Sequence, residues 1–254
     1  MYQFFTDASL IKGHDIYIEG RDYNHIKNVL RMKTGETVSI SDGISGKEYR
    51  CHIEDFEEAR VHLRLDFIKE ADVELPVEVT VFQGLPKSGK MDHIIEKCTE
   101  LGVCGVVPVM TERSIVKIDG KKALEKVRHW QGKAEAAAKQ SKRAIIPEVK
   151  EVMSFEEALK YGESFDVKLF PYELAEDFSK TREVMEGIKE GEKVAVFIGP
   201  EGGFSEGEVT LAEEHGFLRI TLGKRILRTE TAAPVVLSWL GYLFEGRESG
   251  KSER

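Results

Sequence analysis

The chain has 254 residues, 41% of them hydrophobic and 32% charged, which is long enough to bury a substantial core in one large domain or two small ones. No apolar run approaches the roughly 20 residues of a membrane span, and Met1-Tyr2-Gln3-Phe4-Phe5-Thr6-Asp7 lacks a signal peptide's basic start and long apolar centre, so a cytoplasmic protein is expected. Three cysteines without CxxC spacing and seven histidines without an HxxxH pair argue against a disulfide framework and a zinc site, and Cys51, Cys98 and Cys104 read as small buried hydrophobes.

The net charge of −8 argues against a nucleic-acid partner only if it is spread evenly, and it is not. From Glu112 to Arg143 there are ten Lys or Arg against four Asp or Glu, whereas from Glu148 to Glu192 the count is six against thirteen. One basic surface for phosphates can therefore coexist with an acidic remainder.

Residues 1–73 carry short alternating segments at Tyr2–Phe5, Asp15–Ile18, Thr37–Ile40, Tyr49–Ile53 and Arg60–Leu65, divided by turns at Ser41-Asp42-Gly43 and Ser45-Gly46. This texture predicts a small β-barrel, interrupted by a helix from Asp22 to Met32. With ten basic and fourteen acidic residues, the segment by itself reads as a stabilising subdomain, in which Arg31 at the helix end complements the dipole.

Glu70-Ala71-Asp72-Val73-Glu74-Leu75-Pro76 is polar and proline-terminated, a predicted boundary, and from residue 74 strands and helices alternate as in a parallel α/β sheet. Val77–Gln83 is the first strand of that domain, and Met91, Ile94, Ile95, Cys98 and Leu101 share one face of the helix that follows. Between them, Gly84-Leu85-Pro86-Lys87-Ser88-Gly89-Lys90 fits the GxxxxGK spacing of a phosphate-binding loop. Met91 stands where a hydroxyl must hold Mg²⁺, and no apolar strand ending in a metal-binding Asp follows, so a nucleotide hydrolase would lack its metal.

A strand over Val103–Met110 leads to Thr111-Glu112-Arg113-Ser114 and then to a long helix, about Lys121–Ser141. Its apolar side is predicted as Leu124, Val127, Ala134 and Ala138; Lys122, Lys126, His129, Lys133 and Gln140 form the opposite stripe, either a solvated face or a contact for phosphates. Ser154 with Glu157 forms a capping box for a helix closed by Gly162, and the strand Phe165–Phe170 ends in Pro171-Tyr172-Glu173.

The apolar run Val194–Ile198 enters Gly199-Pro200-Glu201-Gly202-Gly203-Phe204, and Ser205 with Glu208 caps a helix that runs to about His215. A strand over Phe217–Leu222 then leads through Gly223-Lys224-Arg225-Ile226-Leu227-Arg228-Thr229-Glu230-Thr231 into a last helix, Ala232–Phe244, with its N-cap expected at Thr231. Both loops follow the carboxyl ends of strands, where parallel sheets bind ligands. The last helix is apolar nearly all round, which predicts a homodimer, and residues 247–254 read as a disordered tail.

Gly199-Pro200-Glu201-Gly202-Gly203 followed by Leu222-Gly223-Lys224-Arg225-Ile226-Leu227-Arg228-Thr229-Glu230-Thr231-Ala232 resembles the signature pair of the RsmE family, SPOUT-class methyltransferases acting on small-subunit ribosomal RNA. The resemblance extends to His25–Met32, which matches the helix of the family's PUA-like RNA-binding domain; to the basic segment Ser88-Gly89-Lys90-Met91-Asp92; to Thr111–Ser114; and to Gln140–Arg143. Gln3 departs from it, because the family commonly has arginine there.

The resemblance implies a PUA-like β-barrel at 1–73 and a knotted SPOUT-type parallel-sheet methyltransferase domain at 74–246 that holds S-adenosylmethionine in a trefoil knot. Leu169, Phe170, Pro171, Ile198, Gly199, Pro200, Glu201, Gly202, Gly203, Leu222, Gly223, Ile226, Leu227 and Thr231 would surround it. The acceptor would be uridine N3 in 16S rRNA, with Arg228 stabilising the uracil anion and Glu230 orienting that arginine or acting as base. A purely structural Arg228–Glu230 salt bridge is the alternative. RNA contacts would come from Arg31, Lys87, Lys90, Arg113, Lys133, Gln140 and Arg143, and no metal is needed. The rival readings are a P-loop NTPase and a non-catalytic RNA-binding module.

Overall fold

The computed structural model describes residues 1–245 apart from 88, 117, 119 and 176. The predicted disordered tail lies outside the described residues, as does Ser88 of the basic segment. The chain forms two compact units, Met1–Glu74 with Ala138–Ile146, and Leu75–Ala137 with the chain from Pro147 on.

The first unit is a six-stranded sheet. Its strands are β1 (Tyr2–Phe5), β2 (Ile11–Lys12), β3 (Asp15–Glu19), β4 (Thr37–Ser41), β5 (Lys47–Phe56) and β6 (Arg60–Glu70), in the order β1-β4-β5-β6-β3-β2. Only β1 and β4 pair in parallel. The alternation seen in the sequence sends Ile16, Ile18, Val61 and Leu63 to the core, where they meet Phe4, Val38, Ile40 and Ile53.

The helix expected over 22–32 is different. A single turn of α-helix, α1 (Gly20–Asn24), widens into a π-helical turn over His25–Val29, closed by Leu30 N–H donating to His25 O at 2.9 Å. The wider turn lets Ile26 and Met32 both reach the core, and Arg31 between them is exposed at a φ of 53°.

Residues 138–146 complete this unit through polar ties. Arg143 is 2% exposed and its guanidinium pairs with Glu74, Nε donating to Oε2 at 2.9 Å. Gln3 Nε2 donates to the Arg143 carbonyl at 2.6 Å, and Ser41 Oγ donates to Ala144 O at 2.6 Å. The residue that departs from the RsmE pattern therefore has a structural partner.

The second unit is a wholly parallel sheet with helices on both faces. Its elements are β7 (Glu78–Gly84), α2 (Lys90–Glu100), β8 (Gly105–Met110), α3 (Gly120–Gln140), β9 (Glu148–Val149), β10 (Met153–Ser154), α4 (Phe155–Gly162), β11 (Val167–Pro171), α5 (Phe178–Gly187), β12 (Lys193–Ile198), α6 (Glu206–Glu214), β13 (Leu218–Ile220) and α7 (Thr229–Phe244). The strand order is β10-β8-β7-β12-β11-β13, with β9 also on β8. Strands covered on both sides must be apolar throughout, and Val194–Ile198 of β12 is buried at every position. Alternate residues separate into two cores. Val79, Val81, Val194, Val196 and Ile198 meet Ile94, Val236 and Leu240 on one face, while Phe82 stacks on Phe197 at 4.5 Å on the other, beside Phe155, Phe170 and Phe204.

Both capping boxes form as read, at Ser154/Glu157 and Ser205/Glu208. Three readings change. In α3 the buried face is carried by Trp130, Ala134, Ala137 and Ala138, and Leu124 is 48% exposed. The α5 helix, capped by Asp177, and the two-residue strands β9 and β10 had no counterpart in the sequence reading. The α7 N-cap is Arg228 and not Thr231, because Thr231 N–H and Ala232 N–H both already donate to the Arg228 carbonyl, at 2.8 and 3.1 Å.

Candidate active site

The loops that leave β11, β12 and β13 surround a cavity of about 410 Å³ at the carboxyl edge of the sheet, with the first turn of α7 as its floor. Of the residues proposed for the cofactor, Pro171, Ile198, Gly199, Pro200, Glu201, Gly203, Leu222, Gly223, Ile226 and Leu227 line it. Arg228 lines it too. Leu169 and Phe170 do not; both are 0% exposed inside the sheet, with the Phe170 ring 4.4 Å from that of Phe204. Gly202 turns away, its carbonyl accepting from Arg113 Nη1 at 3.1 Å. Thr231 is exposed on α7, and Thr229 occupies the wall in its place.

The walls also include residues assigned no cofactor role from sequence: Tyr172, Glu173, Phe204, Thr221, Lys224, Arg225, Ala232 and Lys90. Tyr172 and Glu173 could be found from their place after β11, and Lys224 and Arg225 from the charged loop. Lys90 could not, because only the tertiary fold brings it here.

Three sets of contacts hold the loops. Gln83, at the end of β7, donates from Nε2 to Thr229 Oγ1 at 2.9 Å, and Thr229 donates onward to Gly199 O at 2.7 Å. The backbone of the glycine loop passes so close to Gly84 that a Cβ there would lie 2.6 Å from Pro200 Cδ. Glu208 does more than cap its helix: one carboxylate oxygen accepts from Ser205 N–H and the other from Glu112 N–H, at 2.9 and 2.8 Å, tying the segment after β8 to the glycine loop.

Charge is concentrated at the rim. Lys90 Nζ lies 3.1 Å from Glu201 and 3.0 Å from Glu230. The carboxylates of Glu230 and Glu201 push the Lys90 ammonium above its usual range. Burial acts to raise both carboxyls, but each is held below its ordinary value. Glu230 is lowered by its own backbone N–H, Lys90 and Arg228, and Glu201 by its own N–H, Lys90 and the Lys87 N–H.

The remaining RNA candidates divide by exposure. Arg31, Lys87 and Gln140 are exposed. Arg113 is exposed with one nitrogen on Gly202 O, and Lys133 pairs with Glu96 at 3.0 Å and Asp92 at 3.7 Å. Arg143 is withdrawn as an RNA contact, since it is buried against Glu74. Met91, which stands where a nucleotide-binding loop needs a hydroxyl, is buried in the core.

Among the described residues, the one set of potential metal ligands is Asp55, Glu57 and His62, in the first unit and outside the cavity; His62 Nε2 bonds Asp15 at 2.8 Å. No described helix is long and apolar enough to cross a membrane.

A parallel sheet whose carboxyl-edge loops wall a cavity is the architecture of a ligand-binding α/β protein, and the comparisons with known proteins give its class. Residues 73–241 match the family described as an RNA methyltransferase domain, and residues 18–66 match the RNA methyltransferase PUA domain. The ribosomal RNA small subunit methyltransferase E of Bacillus subtilis is 36% identical over 231 residues, 90% of each chain. Its Synechocystis counterpart is 32% identical over 87% of this chain and 71% of its own. The crystal structure of the Neisseria gonorrhoeae enzyme of the same name, bound to S-adenosyl methionine, matches with a TM-score of 0.81 at 29% identity, covering 96% of this chain and 98% of that one. The chain belongs to the ribosomal RNA small subunit methyltransferase E family, with a PUA-like unit and a parallel-sheet α/β methyltransferase unit.

Proposed function

We propose that this enzyme transfers the methyl group of S-adenosylmethionine to N3 of a uridine in the 16S rRNA of the small ribosomal subunit. The observation that carries the reading is the cavity itself. Its volume of about 410 Å³ suits a nucleoside-sized ligand, and Leu222, Leu227, Phe204 and Ala232 give apolar surface for a purine. Gly199, Gly203 and Gly223 offer backbone groups without side chains in the way, and Glu173 and Glu201 supply negative charge for a cationic molecule. The chain's path fits a trefoil knot: from β13 at the sheet edge it returns past β11 to place Thr229 against the loop after β12.

The donor brings an electrophilic methyl on a sulfonium, which leaves behind a neutral thioether, so no metal is required. The chain must do the rest. N3 of uracil carries a proton and lies between two carbonyls, so it must lose that proton while the negative charge on the ring is stabilised. Arg228 lines the cavity and is exposed at the N-cap of α7, where its guanidinium can meet uracil oxygens. Glu230 serves in this reading to orient its cationic neighbours. A carboxylate held below its ordinary pKa is a weak base, which disfavours the alternative in which it takes the proton. N3 is also the pairing edge, so the uridine must be unpaired or flipped out.

Arg31, Lys87 and Gln140 are the proposed phosphate and sugar contacts, with Arg113 contributing beside its bond to Gly202 O and Lys133 where its ion pairs permit. The homodimer proposal rests on α7, where Tyr242 is 87% exposed beside a half-buried Trp239 that packs edge-on against the 43% exposed Phe178. A cytoplasmic location follows from the ribosomal substrate.

The test is incubation of the enzyme with labelled S-adenosylmethionine and either 30S subunits or naked 16S rRNA, followed by reverse transcription across the product. The reading expects label in the RNA and a stop at one uridine, because N3 methylation blocks pairing. Label on ribose or on a base carbon, or no transfer to either substrate, would overturn it.

A further inference from the structure

Lys90 entered as a candidate for RNA phosphates, and its surroundings say otherwise. Its side chain is 29% exposed, and the ammonium lies between two carboxylates from distant parts of the chain, Glu201 Oε1 at 3.1 Å and Glu230 Oε2 at 3.0 Å, on side chains 24% and 19% exposed. The three residues stand on three segments: Lys90, which opens α2, and Glu201, in the glycine loop, both line the cavity, while Glu230 follows the lining residues Arg228 and Thr229 in the first turn of α7. Glu201 also accepts from the backbone N–H of Lys87 with both oxygens, each at 3.2 Å. One cation thus joins the start of α2, the glycine loop and the start of α7, which follow β7, β12 and β13 of one sheet.

We infer that Lys90 is a positioning residue, the electrostatic clamp that holds the glycine loop against the α7 N-terminus and so shapes the donor cavity, and not a contact for RNA phosphate. The inference rests on the donor cavity proposed above. Two carboxylates and one ammonium leave the cluster with a single negative charge, and removal of the ammonium leaves two like charges facing each other across a partly shielded gap. Repulsion then acts on Glu201, inside the Gly199–Gly203 turn, and on Glu230, two residues after Arg228. A polyanion approaching Lys90 would have to displace both carboxylates or pass close to them. Lys87, exposed and with no ion pair recorded among the described residues, is better placed to take phosphate from the same loop.

The experiment compares the wild type with Lys90→Met, Lys90→Arg and the double variant Lys90→Met/Glu230→Gln in the full chain, Glu230 being the partner carboxylate that does not line the donor cavity. S-adenosylmethionine affinity is read by calorimetry, and the RNA KM and its salt dependence by methyl transfer. Loss of a partly exposed charge flanked by two carboxylates should weaken donor binding about tenfold in Lys90→Met. Lys90→Arg should stay within about threefold of wild type, and the double variant should recover much of the loss because the like-charge repulsion is gone. The RNA salt slope should be unchanged. A Lys90→Met enzyme that binds the donor as the wild type does, but shows a higher RNA KM and a shallower salt dependence, would make Lys90 a phosphate contact and overturn the inference. Should Lys90→Met fail to fold, a double variant that folds but binds the donor no better than background would equally overturn it. Failure of the wild type itself to bind S-adenosylmethionine would instead overturn the cavity assignment.

Discussion

Thr229 donates its hydroxyl to the carbonyl of Gly199, 2.7 Å away and thirty residues earlier in the chain, while accepting from Gln83. A single buried side chain thereby fixes the start of α7 to the turn that walls the cavity. Thr229→Val keeps the shape and strands a buried amide donor and a carbonyl acceptor. The expected cost is about 2 kcal/mol, a fall of about 4–8 °C in melting temperature, with Thr229→Ser close to wild type. Equal melting temperatures for Val and Ser would show that the bond does not hold the loop.

Gly84 is where two strand-end loops touch. A methyl group at this position would sit 2.6 Å from Pro200 Cδ and 2.8 Å from Pro200 N, contacts that only a shift of the glycine loop can relieve. Gly84→Ala should cost about 1–3 kcal/mol and lower S-adenosylmethionine affinity more than RNA affinity, measurable by calorimetry and filter binding.

Arg228 separates binding from chemistry. Arg228→Met should reduce kcat about a hundredfold in single-turnover methyl transfer and leave donor affinity within a few-fold, since the guanidinium acts on charge that develops only during reaction. Equal losses in donor Kd and kcat would place Arg228 in donor binding instead.

Arg143 makes the opposite prediction from the other basic candidates. Buried at 2% exposure against Glu74, it should matter for folding and not for RNA. Arg143→Met leaves a carboxylate without its partner and should destabilise by about 3 kcal/mol, without changing the salt slope of RNA binding in the folded fraction. Retained melting temperature with weakened RNA binding would restore Arg143 to the RNA surface.

Glu201 and Glu230 both have folded pKa values below the ordinary glutamate value of 4.5. Groups lowered in this way contribute stability that is present above the unfolded value and is lost as pH falls through the folded one. Melting temperature should therefore be level above about pH 5.5 and fall below about pH 4.5, less steeply in Glu230→Gln than in wild type. Parallel acid profiles would mean that the Lys90 cluster contributes nothing to this loss.

Much of this was legible in the sequence wherever the signal was local. The Ser205/Glu208 and Ser154/Glu157 boxes, the buried run of β12 and the glycine loop each declare themselves within a few residues. What stayed hidden depended on distant partners. Lys90 looks like a phosphate ligand until Glu201 and Glu230 are brought beside it, and a basic stretch cannot reveal that Arg143 turns inward to Glu74. Thr231 has the side chain of an N-cap but lies inside the first turn. The helix begins earlier, with Ser238 Oγ bonded to the Pro234 carbonyl at 2.7 Å. The π-helical turn at His25–Val29 answers to the packing of Ile26 and Met32, which periodicity alone does not encode.

The most direct test of the central claim is calorimetric titration of the intact wild-type enzyme with S-adenosylmethionine and, separately, with Mg-ATP. Saturable binding of S-adenosylmethionine, weakened by Gly84→Ala, with no heat from Mg-ATP, is the result the cavity predicts. Binding of Mg-ATP with no binding of S-adenosylmethionine would make the Gly84–Lys90 segment a working phosphate loop and contradict the account.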